Sequence, residues 1–368
     1  MTAQQSMAET GEQAGLTVER RGAAAIVVLN RPASRNALSI GMRAVLAEAL
    51  PALGRDPMIY GVVMRSAVDR VFSAGGDIRE ITTLAGRDLS AARQALGREL
   101  ALCWLYECFS KPIVSLIDGV VMGTGVGITL FGTHRVAGSR YRFAMPETAI
   151  GYFPDCGVMH VFARMPQAIG RYLGLTGRAV GRADAYALGL VTHCIDQERY
   201  AEIEAHLAEA DPIDPVLDGL HQDPGPSPVL AEVPRIGRYF EGASIAQIFR
   251  RLSQPAAGDE AWAATVLEDL KARSPMALAV TDEAIRRAAS LDIRETLLQD
   301  FRLAWRFLEL PDLYEGVRAR LIEKDGSPRW RPKHIEDVEP AAVLSLLAPL
   351  NADELGLPTR AEMQSARV

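Results

Sequence analysis

The chain has 368 residues, of which 48% are hydrophobic and 23% are charged, so it can bury a sizeable core and is not globally disordered. Its net charge of −6 offers no basic surface for nucleic acid. Four scattered cysteines without a CxxC pair predict reduced thiols and a cytoplasmic protein, and no apolar run predicts a membrane span. Residues 1–15 carry no signal-peptide features and are predicted to be a disordered lead-in.

Predicted strands and helices alternate from residue 16 to about residue 210, which is the pattern of an α/β fold. In chain order, the strands are expected at 23–29, 60–64, 113–117, 134–137, 142–144 and 191–195, and the helices at 39–50, 91–109, 157–175 and 183–190. Residues 211–234 are rich in Pro and Gly and are predicted to be a linker or a surface loop. Residues 235–368 are predicted to be helical and to pack on the core, with helices at 244–252, 262–271, 276–290 and 293–308.

Two glycine-rich turns stand out in the α/β part. The stretch GTGVG at 123–127 fails the dinucleotide pattern GxGxxG, because Ile128 stands where a third glycine is needed. The stretch SAGGD at 73–77 precedes a predicted helix, which Asp77 could cap. Two such turns, each presenting a backbone N–H, could together form an oxyanion hole.

The stretch MPETAIGYFPDCG at 145–157 sets two acids, Glu147 and Asp155, among apolar and aromatic residues. Burial disfavours the charged form of a carboxylate, and such a group is suited to proton transfer near neutral pH. Helix capping explains the same residues equally well, with Asp155 as the N-cap of a helix from Gly157 onward. The residues alone leave both explanations open.

Other catalytic groups find less support. Cys156 and His160 would share one face of a helix and could act as a Cys/His nucleophile, but no third group to orient them is evident. The six histidines lack metal-ligand spacing, so no metal site is predicted.

An ordered set of short matches resembles the enoyl-CoA hydratase/isomerase (crotonase) superfamily over about residues 16–196. The matching residues are Asn30-Arg-Pro32, Asn36-Ala-Leu38, the stretch FSAGGDIR at 72–79, Lys111-Pro112, Asp118-Gly119, Met122-Gly123 and Pro146-Glu147. Residues 143–155 and the tail at 312–330 are similar to the 3-hydroxyisobutyryl-CoA hydrolase subfamily in particular.

This resemblance implies a spiral of ββα turns with a helical C-terminal region. It implies an oxyanion hole formed by the N–H groups of Gly76 and Thr124, although the family usually has Gly at the second place. Glu147 and Asp155 would be the catalytic acids, and Glu99 would contact the substrate. Hydratases have a second catalytic Glu where this chain has Gly127.

For the coenzyme, the resemblance implies that pantetheine passes Ala37 and Leu38. It also implies that the adenine and phosphates lie near Arg31, Arg35 and Arg79. No cofactor is expected apart from the CoA of the substrate. The expected partner is an acyl-CoA, with neither nucleic acid nor membrane involved. The superfamily often forms homo-oligomers, and the longer tail leaves the oligomeric state open.

The expected reaction is hydrolysis of a short 3-hydroxyacyl-CoA thioester, with 3-hydroxyisobutyryl-CoA from valine breakdown as the expected substrate. Glu147 would either activate water as a general base or attack the carbonyl itself. One alternative is an enoyl-CoA hydratase or isomerase. A second alternative is a catalytically silent acyl-CoA-binding protein in which Thr124 has closed the oxyanion hole.

Overall fold

Two β-sheets make up the core of the N-terminal half of the chain. The computed structural model describes residues 15–368. The lead-in predicted at 1–15 therefore lies, apart from Gly15, outside the described residues. The first sheet has the order β1-β2-β3-β5-β7-β10 and the second has the order β4-β6-β8-β9. The strands are β1 Leu16–Arg21, β2 Ala24–Leu29, β3 Gly61–Ser66, β4 Val71–Ser73, β5 Ile113–Ile117, β6 Val120–Met122, β7 His134–Ala137, β8 Arg142–Ala144, β9 Val180–Gly181 and β10 His193–Cys194.

Burial on both faces explains the apolar strands of the larger sheet. All six residues of β2 are buried, as are all five of β5. From β2 to β10 the neighbouring strands are parallel, and only β1 pairs antiparallel with β2. Parallel sheets need cover on both faces, which is why their strands are continuous apolar runs and not alternating ones.

Helices cover both sheets and form most of the C-terminal half. The α-helices are α1 Ile40–Arg55, α2 Ile78–Ala85, α3 Leu89–Cys108, α4 Thr124–Gly127, α5 Val158–Phe162, α6 Ile169–Thr176, α7 Arg182–Ala187, α8 Tyr200–Ala208, α9 Ile213–Leu220, α10 Pro228–Ala231, α11 Val233–Phe240, α12 Ile245–Ser253, α13 Glu260–Lys271, α14 Pro275–Ala288, α15 Ile293–Phe307, α16 Pro311–Val317, α17 Pro340–Leu346 and α18 Arg360–Ser365. None of the helices in residues 15–368 combines the length and the apolar character needed to cross a bilayer.

The chain alternates between the sheets: β3, β5 and β7 lie in the larger sheet, and each is followed by a strand of the smaller sheet, β4, β6 or β8. Each such pair of strands is followed by helix and makes one turn of the spiral. This confirms the expected spiral of ββα turns with a helical C-terminal region. In the smaller sheet β4, β6 and β8 are parallel neighbours. Their carboxyl ends therefore meet at one edge, which is where ligands bind in parallel α/β sheets.

Two predicted segments differ from the structure. The helix expected at 157–175 is broken into α5 and α6, because Gln167 and Ala168 take positive φ angles between them. The chain turns back so tightly that a Cβ on Gly170 would lie 1.9 Å from the carbonyl oxygen of Phe162. Residues 211–234 are not loop throughout, since they contain α9 and α10. Ile213 and Leu217 of α9 are buried in an apolar cluster with the larger sheet.

The C-terminal helices lie directly on the core. α15 packs along α3, α14 packs on α6, and α16 packs on a short 3-10 helix, Glu147–Ile150. At this last contact the backbones touch, because a Cβ on Gly316 would lie 2.3 Å from the carbonyl carbon and oxygen of Ile150. Glycine at 316 therefore sets how closely the C-terminal region approaches the segment that carries Glu147.

We expect Gly316→Ala to lower the free energy of unfolding by about 1–3 kcal/mol, the usual cost of forcing atoms into a packed site. The matched control is Gly219→Ala in α9, where nothing lies within 4 Å of the added Cβ. That variant should gain about 0.5–1 kcal/mol from helix propensity. Urea unfolding of both variants measures the two changes, and changes of equal sign would contradict the packing argument.

Candidate active site

A cavity of about 360 Å³ opens at the edge where β4, β6 and β8 end. Each strand delivers one element of the site within three residues of its last residue: the Gly75-Gly76 turn after β4, the Gly123-Thr124 turn after β6, and Glu147 after β8. Residues from three separate turns of the chain therefore face one another because their strands are parallel neighbours.

Two backbone N–H groups in this cavity have no acceptor. Neither the N–H of Gly76 nor that of Thr124 donates a hydrogen bond within residues 15–368. Gly75 and Gly123 take φ angles of +103° and +48°, which favour glycine. Free N–H groups of this kind are what an oxyanion hole requires. The structure brings both predicted donors into one cavity, and their action on a substrate oxygen stays a prediction.

Glu147 lies directly beside these donors. A Cβ on Gly123 would lie 3.0 Å from its Oε1, so glycine at 123 leaves room for the carboxyl group. Glu147 is 8% exposed, and its Oε2 has no hydrogen-bond partner in the described chain. Burial raises the pKa of Glu147 well above its usual value, and the nearby charge of Asp155 raises it further. The carboxyl group is thus a stronger base than an exposed glutamate when it is ionised.

Asp155 faces the same cavity and is 7% exposed. The helix that follows begins at Val158 without a side-chain cap, so the N-cap explanation for Asp155 is wrong. Burial raises the pKa of Asp155 to about 6, while the Cys156 thiol and the charge of Arg43 act in the opposite direction. Glu147 and Asp155 therefore form the pair of buried acids that the sequence suggested.

Thr124 does not leave its hydroxyl free in the pocket. The hydroxyl donates to Oε1 of Glu99, and Oε2 of Glu99 forms a buried ion pair with Arg43. The Thr124 oxygen still narrows the cavity, since a Cβ on Gly76 would lie 2.7 Å from it. The Thr124 N–H remains available, so the side chain reduces the space and does not block the donor.

Glu99 lines the cavity as predicted, but both of its oxygens already have partners inside the protein. Its role in contacting a substrate stays a prediction. Sequence reasoning missed Arg43, which is 4% exposed. The available signal was its spacing on α1, where Arg43 shares the apolar face of Leu46 and Leu50.

The position at which hydratases have a second Glu has no room for a side chain here. A Cβ on Gly127 would lie 2.7 Å from Cβ of Cys156 and 2.8 Å from Sγ of Cys103. Both cysteines are fully buried, and all four cysteines of the described chain are free thiols. Because the two cysteines fill this space, no acidic side chain fits at position 127, and the acids that line the cavity are Glu99, Glu147 and Asp155.

Neither a thiolate nucleophile nor a metal fits this cluster. The Cys156 thiol donates to Glu99 at 3.7 Å and not to His160. Its pKa is raised well above the usual value, first by hydrogen bonding to Cys103 and then by burial. The ligand atoms of Glu99, Asp155 and Cys156 lie within 4.8 Å of one another, but the Arg43 guanidinium on Glu99 would repel a cation.

The residues predicted to hold CoA lie beside the cavity. Leu38 pairs with Gly76 through the backbone, which places Ala37 and Leu38 next to the free N–H of Gly76. Arg31 donates to Asp77 at 2.9 Å, and Asp77 also caps α2 as expected. Arg31 is thus engaged in the fold.

Of the other two predicted arginines, Arg79 is 53% exposed at its side chain and lies 4.0 Å from Asp77. Arg35 is exposed at a left-handed position that ends a short 3-10 helix. Neither lines the cavity. Contact of these arginines with CoA stays a prediction.

A second residue that sequence reasoning missed is Asp300 on α15. It is fully buried, and its Oδ2 accepts the N–H of Gly157 at 2.7 Å, while Oδ1 has no partner in the described residues. Cys156 and Gly157 both take positive φ angles, so Asp300 holds the strained turn that sets Asp155. Burial raises the pKa of Asp300 well above its usual value, and the charge of Asp155 adds to this shift.

The signal for Asp300 was again helical spacing, because it shares the apolar face of Leu297 and Ala304. Its partner, the Gly157 N–H, lies 143 residues earlier in the chain. No local pattern connects the two residues, so this contact could not be predicted.

Comparison with known sequences finds close relatives over nearly the whole chain. A family model described as enoyl-CoA hydratase/isomerase matches residues 24–347. The mitochondrial 3-hydroxyisobutyryl-CoA hydrolase of Xenopus laevis is 32% identical over 358 residues, covering 95% of this chain and 92% of the relative. The 3-hydroxyisobutyryl-CoA hydrolase 1 of Arabidopsis thaliana is 31% identical and covers 96% of both chains.

Two solved structures are similar over the same length. A carnitinyl-CoA dehydratase from Mycobacterium thermoresistibile is 34% identical with a TM-score of 0.86, covering 93% of this chain and 98% of the other. An enoyl-CoA hydratase from Rhodobacter sphaeroides 2.4.1 is 34% identical with a TM-score of 0.87, covering 93% of this chain and 100% of the other. Fold and C-terminal region are therefore shared with these proteins.

We expect Asp300→Asn to reduce the pH dependence of stability. A carboxyl group with a raised pKa in the folded state favours folding most at low pH, and this contribution is lost as pH rises toward the folded pKa. As pH rises from the unfolded pKa near 4 toward the raised folded pKa, the free energy of unfolding of the wild type should fall by about 1.4 kcal/mol per pH unit relative to that of the variant. Urea unfolding at pH 5, 6 and 7 measures this, and a difference that is constant with pH would contradict it.

Proposed function

The chain belongs to the enoyl-CoA hydratase/isomerase family of enzymes, and from this premise we propose that it hydrolyses a short 3-hydroxyacyl-CoA thioester. The observation that carries the proposal is the unpaired carboxyl oxygen of Glu147 beside two free N–H groups, with Asp155 in the lining of the same cavity and the space at Gly127 filled by two cysteines. The names of the relatives from Xenopus and Arabidopsis support 3-hydroxyisobutyryl-CoA as the substrate.

The carbonyl oxygen of the thioester would lie between the N–H groups of Gly76 and Thr124. Negative charge develops on this oxygen when the carbonyl is attacked, and fixed donors stabilise it without rearranging. In other enzymes, removing one such donor costs about 2.7–4 kcal/mol. Since both N–H groups lack acceptors in the described chain, no hydrogen bond has to break when the substrate enters.

Glu147 would act in its ionised form. As a general base it would take a proton from water, the resulting hydroxide would attack the carbonyl, and the proton would pass to the leaving thiolate of CoA. As a nucleophile it would displace CoA and form an anhydride that water then cleaves. Single-turnover hydrolysis in ¹⁸O-labelled water tests for the anhydride, because label appearing in the Glu147 carboxyl group arises only when water attacks the glutamyl carbonyl of the anhydride and excludes the simple general-base route.

Asp155 would bind the 3-hydroxyl group of the acyl chain or orient the attacking water. Its raised pKa of about 6 leaves it largely ionised at neutral pH, so it can accept a hydrogen bond from either group. Thr124 makes the cavity narrower beside Gly76, which fits a short acyl group better than a long one.

Hydration of an enoyl-CoA is the second candidate, because similar solved structures are of a hydratase and a dehydratase. The filled space at Gly127 argues against it in this chain. Addition of water to a double bond uses acid and base groups on the substrate, and the place of the second Glu is occupied by Cys103 and Cys156.

We expect purified protein to release thiol rapidly from 3-hydroxyisobutyryl-CoA and to hydrate crotonyl-CoA slowly or not at all. Glu147→Gln should lower kcat for thiol release by about 10²–10⁴-fold, the usual contribution of a general base. The matched control is Glu48→Gln, which changes an exposed glutamate on α1 in the same way.

A thiol-reactive dye follows CoA release, and the absorbance of the enoyl thioester follows hydration. Fast crotonyl-CoA hydration without thiol release would overturn the hydrolase proposal. An unchanged rate in Glu147→Gln would remove this residue from the mechanism. Binding of CoA without turnover of any thioester would favour the silent binding protein.

We also expect Asp155→Asn to move the acid limb of the kcat/KM profile to lower pH. The ionised Asp155 raises the pKa of Glu147, so its removal lets Glu147 ionise at lower pH. The maximal rate should fall at the same time, because Asp155 no longer accepts a hydrogen bond as a carboxylate. An acid limb that stays in place, or moves to higher pH, would show that Glu147 does not control it.

A further inference from the structure

Two arginines from the helical C-terminal region line the catalytic cavity. Arg273 lies two residues before the start of α14, and Arg320 lies in a π-helical segment, Arg318–Ile322, that follows α16. Neither forms an ion pair with any acid in residues 15–368. Their cationic groups therefore have no charged partner in the protein as it stands.

The neighbouring carboxylates are already used. Arg318, two residues before Arg320, binds Glu315 at 2.7 Å, Asp325 at 2.6 Å and Glu323 at 2.5 Å. Near Arg273, the carboxylate of Asp269 binds Arg178 at 2.6 Å. The two cavity arginines thus differ from the arginines beside them, which are neutralised within the fold.

Hydrogen bonds of Ser274 and of Arg273 itself set the position of Arg273. The next residue, Ser274, donates its N–H to Thr148 at 3.1 Å and its hydroxyl to Asp312 at 2.6 Å. Arg273 itself donates from one Nη to the carbonyl oxygen of Thr176 at 2.6 Å, and its buried Nε has no acceptor in the described chain. This leaves guanidinium N–H groups free beside the cavity.

Holding Arg273 there is unfavourable without a ligand. Burial lowers the pKa of Arg273; the charge of Asp269 opposes this shift, and the charges of Arg320 and Arg178 add to it. A partly buried guanidinium with an unpaired N–H costs free energy, and a second cation nearby adds repulsion. An anion between Arg273 and Arg320 would remove both costs.

Positive charge continues beyond Arg273. This residue also lines a second cavity of about 660 Å³, together with Lys271, Arg329 and Lys333, against a single acid, Glu336. A group that reaches Arg273 from the catalytic side therefore meets further cations and no cluster of acids.

We propose that Arg273 and Arg320 form an anion subsite in the wall of the catalytic cavity, which binds a phosphate or carboxylate group of the acyl-CoA ligand. The inference rests on the proposed function in taking an acyl-CoA as the ligand. Guanidinium groups bind both kinds of oxyanion through paired N–H donors. The anion comes either from the phosphates of CoA or from a carboxylate at the end of the acyl chain, and the two sources are separable.

The test measures dissociation constants in a Glu147→Gln background, so that no ligand is consumed. The four probes are CoA, pantetheine, 3-hydroxyisobutyryl-CoA and succinyl-CoA, whose acyl group ends in a carboxylate. Arg320→Gln and Arg273→Gln remove the charges one at a time, Arg320→Lys keeps a charge, and Arg55→Gln is the control at an exposed arginine at the end of α1.

We expect each glutamine variant to weaken binding of the anion-bearing probe about tenfold, the usual scale of one hydrogen bond to a charged group. If the phosphates are bound, CoA weakens and pantetheine does not. If the acyl carboxylate is bound, only succinyl-CoA weakens. Either result supports the subsite, and Arg320→Lys should recover part of the loss.

The subsite would be overturned if, for each of the four probes, the dissociation constant were the same with and without the arginine-to-glutamine substitutions. An equal loss of affinity in Arg55→Gln would also overturn it. Failure of the proposed function looks different, because it appears as absent thiol release in the protein with native Glu147. A protein that binds CoA through the arginines but releases no thiol would refute only the hydrolase proposal.

Discussion

The buried guanidinium of Arg43 forms the one ion pair that the described residues offer to four buried carboxyl groups, those of Glu99, Glu147, Asp155 and Asp300, of which the first three line the catalytic cavity. It neutralises Glu99 directly and leaves Glu147, Asp155 and Asp300 without a paired base. Burial then raises the pKa of each of these three, since a charge in a low-dielectric interior without a partner is unfavourable. The chemistry proposed for Glu147 depends on the absence of a cation paired with it in the described residues, because a fully paired glutamate would be a weaker base.

The C-terminal region completes the site that the two sheets begin. Asp300 holds the left-handed turn directly after Asp155, and Gly316 lets α16 contact the backbone of Ile150 at the end of the 3-10 helix that Glu147 begins. The same region supplies Arg273 and Arg320 to the cavity wall. The spiral of ββα turns thus provides the reacting groups, while the C-terminal helices position them and shape what can bind.

Members of one enzyme family can catalyse different reactions when a few side chains of the active site differ in size and position. In this chain, Cys103 and Cys156 fill the space beside Gly127, and Thr124 donates its hydroxyl to Glu99 instead of presenting it to a ligand. Both features leave the backbone N–H donors of Gly76 and Thr124 intact, and both affect which side chains line the space for a substrate. This explains how the chain can share a fold with a hydratase and a dehydratase while its relatives in Xenopus and Arabidopsis are hydrolases.

The sequence by itself determined the alternation of strands and helices, the two glycine-rich turns and the two acids Glu147 and Asp155 in apolar surroundings, because these are local signals. The strands β1, β4, β6 and β9 were not predicted. The sequence also predicted the family and its spiral through an ordered set of short matches. Only the tertiary structure decided between capping and an unpaired buried acid, since that depends on neighbours distant in the chain. The roles of Arg43, Asp300 and Arg273 were hidden for the same reason. Helical spacing marks Arg43 and Asp300 as buried, but the partner of each of the three residues lies more than fifty residues away in the chain.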